Sequence, residues 1–151
     1  MKKILLIEDN TEVRENTSEI LEMAGYRVLS AENGRLGVEI AMSDKPDLVI
    51  CDIMMPEIDG YGVIAALRNN PSTTTIPFIF LSAKSDKNDF RQGMELGSDD
   101  YLTKPFTRDE LLGAINAQFK KQEVINSYYK QELANLRGNI SKSLPHQLLF
   151  P

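Results

Sequence analysis

Three unbroken apolar runs of strand length, Ile4-Leu5-Leu6-Ile7, Leu48-Val49-Ile50-Cys51 and Phe78-Ile79-Phe80-Leu81, constrain this chain more than any other feature. A strand with no polar alternation has to be covered on both faces, as happens in parallel sheets flanked by helices. Helical patterns separate the runs. Val13, Thr17, Ile20, Leu21 and Ala24 share one side of a helix that stops at Gly25. Tyr26 to Ala31 alternates only partly, which predicts a strand nearer an edge. A second helix is predicted from Gly34 to Ser43 and a third through Val63, Ile64 and Leu67. A fourth carries Phe90, Met94 and Leu96 and ends at Gly97. Tyr101-Leu102-Thr103 reads as a short fifth strand, and Thr107 caps a helix beginning near Asp109. Five strand–helix units in series require right-handed crossovers and a parallel sheet with helices on both faces.

The 151 residues suit one such domain with a few tens left over. The apolar share of 42% is enough for a core, and the longest apolar runs fall far short of the ~20 residues of a membrane span. Glu8 and Asp9 interrupt the first run too early for a signal peptide, and Cys51 is the single cysteine. Those features lead us to expect a cytoplasmic, soluble protein. In a buried strand, Cys51 reads as a small hydrophobe rather than a reactive thiol. The net charge is -5, yet residues from Lys120 onward carry five basic and two acidic side chains. The body before them is therefore acidic, which disfavours direct contact with nucleic acid.

Ligands of open parallel sheets bind beyond the carboxyl ends of the strands. Here the first strand runs into Glu8 and Asp9, the third into Asp52, the fourth into Ser82 and the fifth into Lys104-Pro105. Taken singly, each has an ordinary structural use as a helix cap, a turn residue or a solvated lysine. Together they bring three carboxylates, a hydroxyl and an amine to one end of the sheet. Clustered carboxylates raise one another's pKa unless a cation is present, and Mg²⁺ suits an all-oxygen set. One carboxylate can then serve as an aspartyl nucleophile toward a phosphoryl donor. Lys104 can neutralise phosphoryl oxygens, and Ser82 can donate a hydrogen bond to them.

The stretches ILLIEDN, DLVICDIMMPEIDGYG, IPFIFLSAK and GSDDYLTKPF resemble the receiver domain of bacterial two-component response regulators, over about residues 2 to 119. The resemblance implies a flavodoxin-like sheet of order 2-1-3-4-5 and phosphoryl transfer onto Asp52 from a sensor histidine kinase or phosphotransfer protein. It also implies weak autophosphatase activity. By it, Mg²⁺ is held by Glu8, Asp9, Asp52 and the Met54 backbone carbonyl. Ser82 and Tyr101 are the switch residues, and Lys104 precedes a cis proline, Pro105. Met54 and Lys84 take the positions that flank the path of the hydrolytic water. A thioether and an ammonium are poor at activating water, so a long-lived phosphorylated state is expected.

The last helix has no stop near Phe119. Phe119, Gln122, Asn126, Tyr129, Leu133, Leu136 and Ile140 continue at steps of three and four, a heptad-like stripe that suggests a homodimer. We therefore expect a receiver over residues 1–119 and a helical linker or tail over 120–151. The tail's end resembles the phosphoacceptor box of sensor histidine kinases. Pro145, His146, Leu148 and Pro151 fit that box, while Gln147, Leu149 and Phe150 depart from it. His146 is thus a candidate secondary phosphoacceptor, and the tail a candidate start of a kinase dimerisation region. Three readings follow: a signalling receiver, the N-terminal part of a hybrid histidine kinase, or a different aspartyl-phosphate or Mg²⁺-dependent hydrolase on a similar sheet.

Overall fold

A computed structural model of the chain describes residues 1–83 and 87–143. Five strands alternate with five helices in chain order. They are β1 (Lys3–Ile7), α1 (Thr11–Met23), β2 (Arg27–Ala31), α2 (Gly34–Asp44), β3 (Leu48–Asp52), α3 (Gly60–Arg68), β4 (Phe78–Ser82), α4 (Lys87–Glu95), β5 (Asp100–Thr103) and α5 (Arg108–Ser143). All strand pairs are parallel, and the sheet order is β2-β1-β3-β4-β5. The half-alternating β2 is indeed an edge strand. The fully apolar runs supply β1, β3 and β4, and every residue of β3 and β4 is buried.

Side-chain alternation divides the core between the two faces of the sheet. Leu5, Ile7, Val49, Cys51, Phe78 and Phe80 form one cluster with Ala41 of α2 and Val63, Ile64 and Leu67 of α3. Phe78 and Phe80 meet edge to face at 4.9 Å, and Tyr61 adds a second edge-on ring at 5.4 Å from Phe80. Ile4, Leu6, Leu48, Ile50, Ile79 and Leu81 alternate onto the opposite face and are fully buried. So are Leu21 of α1 and Leu111 of α5. Burying each such side chain stabilises the fold by roughly 1.5–3 kcal/mol.

Local chemistry sets the helix ends. Asn10, Asn33 and Asp59 cap α1, α2 and α3, each accepting a backbone N–H from the first turn through its side chain. Thr107 Oγ1 accepts the Glu110 N–H at 3.1 Å, while Glu110 Oε1 accepts the Thr107 N–H at 3.2 Å, a reciprocal capping box. After α1 the chain turns at Gly25, whose φ of +96° suits a residue without Cβ.

The chain divides into two compact units, Met1–Ala114 and the part from Ile115 onward. The described residues of the second form the continuation of α5 to Ser143, on which Tyr129, Leu133 and Leu136 are 62%, 54% and 56% exposed. Among the described residues, no helix is long and apolar enough to cross a membrane. Lys84 and His146, with the rest of the kinase-like box, lie outside the described residues.

Candidate phosphoacceptor and metal site

The strand order reverses between β1 and β3, and the crevice at such a reversal is where open α/β sheets bind ligands. Glu8 and Asp9 follow β1 directly. The Glu8 N–H is donated to the Ala31 carbonyl at 3.0 Å, so the backbone stays sheet-like for one further residue and buries the carboxylate. Asp9 is exposed. Asp52 is the last residue of β3, in register with Leu81 of β4, and is 6% exposed. Single carboxylate oxygens of Glu8, Asp9 and Asp52 all lie within 4.8 Å of one another.

Lys104 closes this group from the far side of the sheet. Its backbone N–H is donated to the Ser82 carbonyl at 2.6 Å, and the Lys104–Pro105 peptide bond is cis. The Lys104 ammonium hydrogen-bonds Glu8 Oε1 and stands 3.3 Å from Asp52 Oδ2. Ser82 is buried at the end of β4, opposite Thr103 in β5. Tyr101 is half-buried in β5 and packs at the border of the core cluster. Met54 follows Asp52 by two residues, with its side chain 74% exposed.

The electrostatics reflect this crowding. Burial raises the Glu8 pKa, with a further upward push from Asp52, against the lowering effect of Lys104. Asp9 is raised by desolvation and by Glu8. Burial alone would lower Lys104, but its hydrogen bond to Glu8 and the charges of Asp52 and Glu8 outweigh that and raise it. The Cys51 thiol is pushed well above its ordinary value, first by complete burial and then by the Asp52 charge. That environment keeps the thiol protonated and unreactive.

Among the described residues, three carboxylates face the one ammonium of Lys104, which leaves an excess of acidic oxygen donors. That donor set fits a hard divalent cation such as Mg²⁺, with Glu8, Asp9 and Asp52 as the residues able to hold it.

Two contributors escape sequence reasoning. Arg14, in the first turns of α1, donates from Nη1 to the Glu8 carbonyl at 2.7 Å and the Asp9 carbonyl at 3.5 Å, fixing the acidic loop. Gly60 opens α3 so close to β3 that a Cβ there would stand 2.6 Å from the Asp52 carbonyl oxygen. The only signals were an arginine one turn into a helix and a glycine at a helix start. Neither identifies its contact.

Comparison with known proteins agrees with this geometry. The profile of the family described as "Response regulator receiver domain" matches residues 4–116. The chain is 39% identical over 125 residues to the DNA-binding dual master transcriptional regulator RpaA of Synechocystis sp., covering 83% of this chain and 52% of that protein. It spans about half the length of the curated relatives it matches. Among solved structures, the signal receiver domain of a signal transduction histidine kinase from Syntrophus aciditrophicus is 37% identical. Its TM-score is 0.72, with 78% of this chain and 89% of that one covered. The receiver domain of a sensor histidine kinase from Pseudomonas aeruginosa, solved with a magnesium ion in its active-site cleft, is 31% identical. Its TM-score is also 0.72, with 77% and 95% covered. With the family match running from β1 into α5, this chain belongs to the response regulator receiver domains of two-component signal transduction.

Proposed function

We propose that the chain accepts a phosphoryl group on Asp52 from a phosphohistidine of a sensor histidine kinase or phosphotransfer protein, and changes conformation as a result. The observation that carries this reading is the environment of Asp52, whose carboxylate meets two further carboxylates and the Lys104 ammonium at the strand-order reversal. Glu8, Asp9, Asp52 and the Met54 carbonyl would hold Mg²⁺, which when bound supplies charge neutralisation for phosphoryl oxygens. An Asp52 carboxylate oxygen forms the new O–P bond as the N–P bond breaks, and the bonding pair returns to the imidazole. Lys104, already 3.3 Å from Asp52, neutralises a phosphoryl oxygen in the product. The phosphoryl group, carrying about -1.5 to -2 charge where the carboxylate carried one, draws the Ser82 hydroxyl as a donor and leaves room for Tyr101 to turn inward. Such switches shift two existing states by ~1–3 kcal/mol.

Phosphoramidate carries the same P–N bond as phosphohistidine and tests the reaction without a cognate kinase. With Mg²⁺, intact mass should rise by one phosphoryl group, and a chelator should prevent it. An increment of equal size in chelator would contradict the metal-assisted reading.

A second reading places this receiver at the start of a hybrid histidine kinase, with residues 1–119 as receiver and 120–151 as linker. Two observations favour it: α5 runs to Ser143, past the matched residues, and similar solved receivers come from histidine kinases. The length of the native gene product separates the two readings. Treatment of that product with ATP would test for autophosphorylation, with His146 as its candidate acceptor.

A further inference from the structure

The continuation of α5 carries a stripe that its own sequence equips for a second copy of itself. Counting Phe119 as heptad position a, positions a are Phe119, Asn126, Leu133 and Ile140, and positions d include Gln122, Tyr129 and Leu136. The helix is continuous through all of them, and Tyr129, Leu133, Leu136 and Ile140 are exposed along it. Val124 and Tyr128 are exposed too, but they fall at outer positions of the heptad. Gly138 also falls at an outer position, with nothing within 4 Å of where its Cβ would be. A seam of a and d residues therefore loses nothing to that glycine directly.

Charge and polarity choose the partner's orientation. Glu132 occupies position g and Arg137 the following position e. Neither has an oppositely charged residue three or four positions away on its own helix, the spacing that makes intrahelical pairs. In a parallel dimer in register, Glu132 faces Arg137 of the other copy, and symmetry makes that pair twice. Asn126 then meets its own counterpart, where two amides can hydrogen-bond, and Leu133, Leu136 and Ile140 each meet their like. An antiparallel arrangement centred on Tyr129 and Leu133 instead sets Asn126 against Leu136 and Gln122 against Ile140. That leaves buried amides facing apolar side chains, which is costly.

We propose that residues 119–140 pair with a second copy of this chain as a parallel, in-register two-stranded coiled coil, specified by the Asn126 layer and reciprocal Glu132–Arg137 pairs. This goes beyond the phosphoacceptor reading and does not depend on it.

The test is analytical ultracentrifugation of the full chain. Wild type should sediment as a dimer. The seam variant with Leu133→Glu and Leu136→Glu should be monomeric, and Tyr128→Glu at an outer position should remain dimeric. Glu132→Arg and Arg137→Glu should each weaken the dimer several-fold, and the two together should restore it. Circular dichroism on every variant separates loss of pairing from loss of the domain fold. Under mild oxidation Leu136→Cys should crosslink to its counterpart, because only the parallel register brings the two positions together. A monomeric wild type, or a dimer indifferent to the Leu133 and Leu136 changes, would overturn the proposal. A double charge swap without rescue, or no crosslink from a dimeric Leu136→Cys protein, would overturn the parallel register.

Discussion

Glu8 is fully buried, and among the described residues the one ammonium paired with it, and with Asp52, is that of Lys104. Replacing Lys104 by methionine keeps most of the stem but leaves a desolvated carboxylate beside another. Breaking a buried pair from one side is expected to cost about 3 kcal/mol. Urea unfolding of Lys104→Met in metal-free buffer measures this, and an unchanged midpoint would show that Glu8 is accommodated without its partner. For Met54 we propose a different role. Its thioether is exposed beside the site and is only a weak hydrogen-bond acceptor. Met54→Asn offers an attacking water a better acceptor. We expect loss of the phosphoryl group to accelerate several-fold, roughly 1 kcal/mol on the barrier. The decay of phosphorylated protein after donor removal checks it, and equal rates would mean that position 54 has no hold on the lifetime.

At the scale of elements, the site depends on how tightly α3 docks behind β3. A Cβ at Gly60 would meet the Asp52 carbonyl oxygen at 2.6 Å and the Ile53 Cα at 2.8 Å, both backbone atoms that cannot move aside cheaply. Gly60→Ala is therefore expected to destabilise by about 1–3 kcal/mol. Gly113→Ala is the contrast: nothing lies within 4 Å of its Cβ, and it sits inside a helix. It should stabilise by up to about 1 kcal/mol. Thermal unfolding of the two variants gives opposite signs if this packing is right. The elements themselves were legible because β1, β3 and β4 are written in uninterrupted apolar residues, and their boundaries agree with the sequence to within a residue or two. The contact distances of Gly60 and Arg14 were not legible. They depend on how closely α3 and α1 approach the sheet, which periodicity does not encode.

Across the whole molecule, the parallel order β2-β1-β3-β4-β5 brings residues separated by up to 96 positions to one place, as in the Lys104–Glu8 pair. The sequence exposes this cluster because each member follows directly on a strand, so one rule about strand ends collects them all. It does not give their order of burial: Glu8 is sealed, Asp9 is open, and Asp52 is nearly covered. That gradient supports Asp52 as the acceptor held at the centre of the group and Asp9 as its solvent-facing metal ligand. The measurement closest to this claim is site mapping after treatment with acetyl phosphate and Mg²⁺. Borohydride reduces an aspartyl phosphate to homoserine, which peptide mass spectrometry locates. Homoserine should appear at position 52 of the wild type, and Asp52→Asn should gain neither homoserine nor phosphoryl mass. The same mass gain in Asp52→Asn, or homoserine at Asp9 in the wild type, would contradict the account.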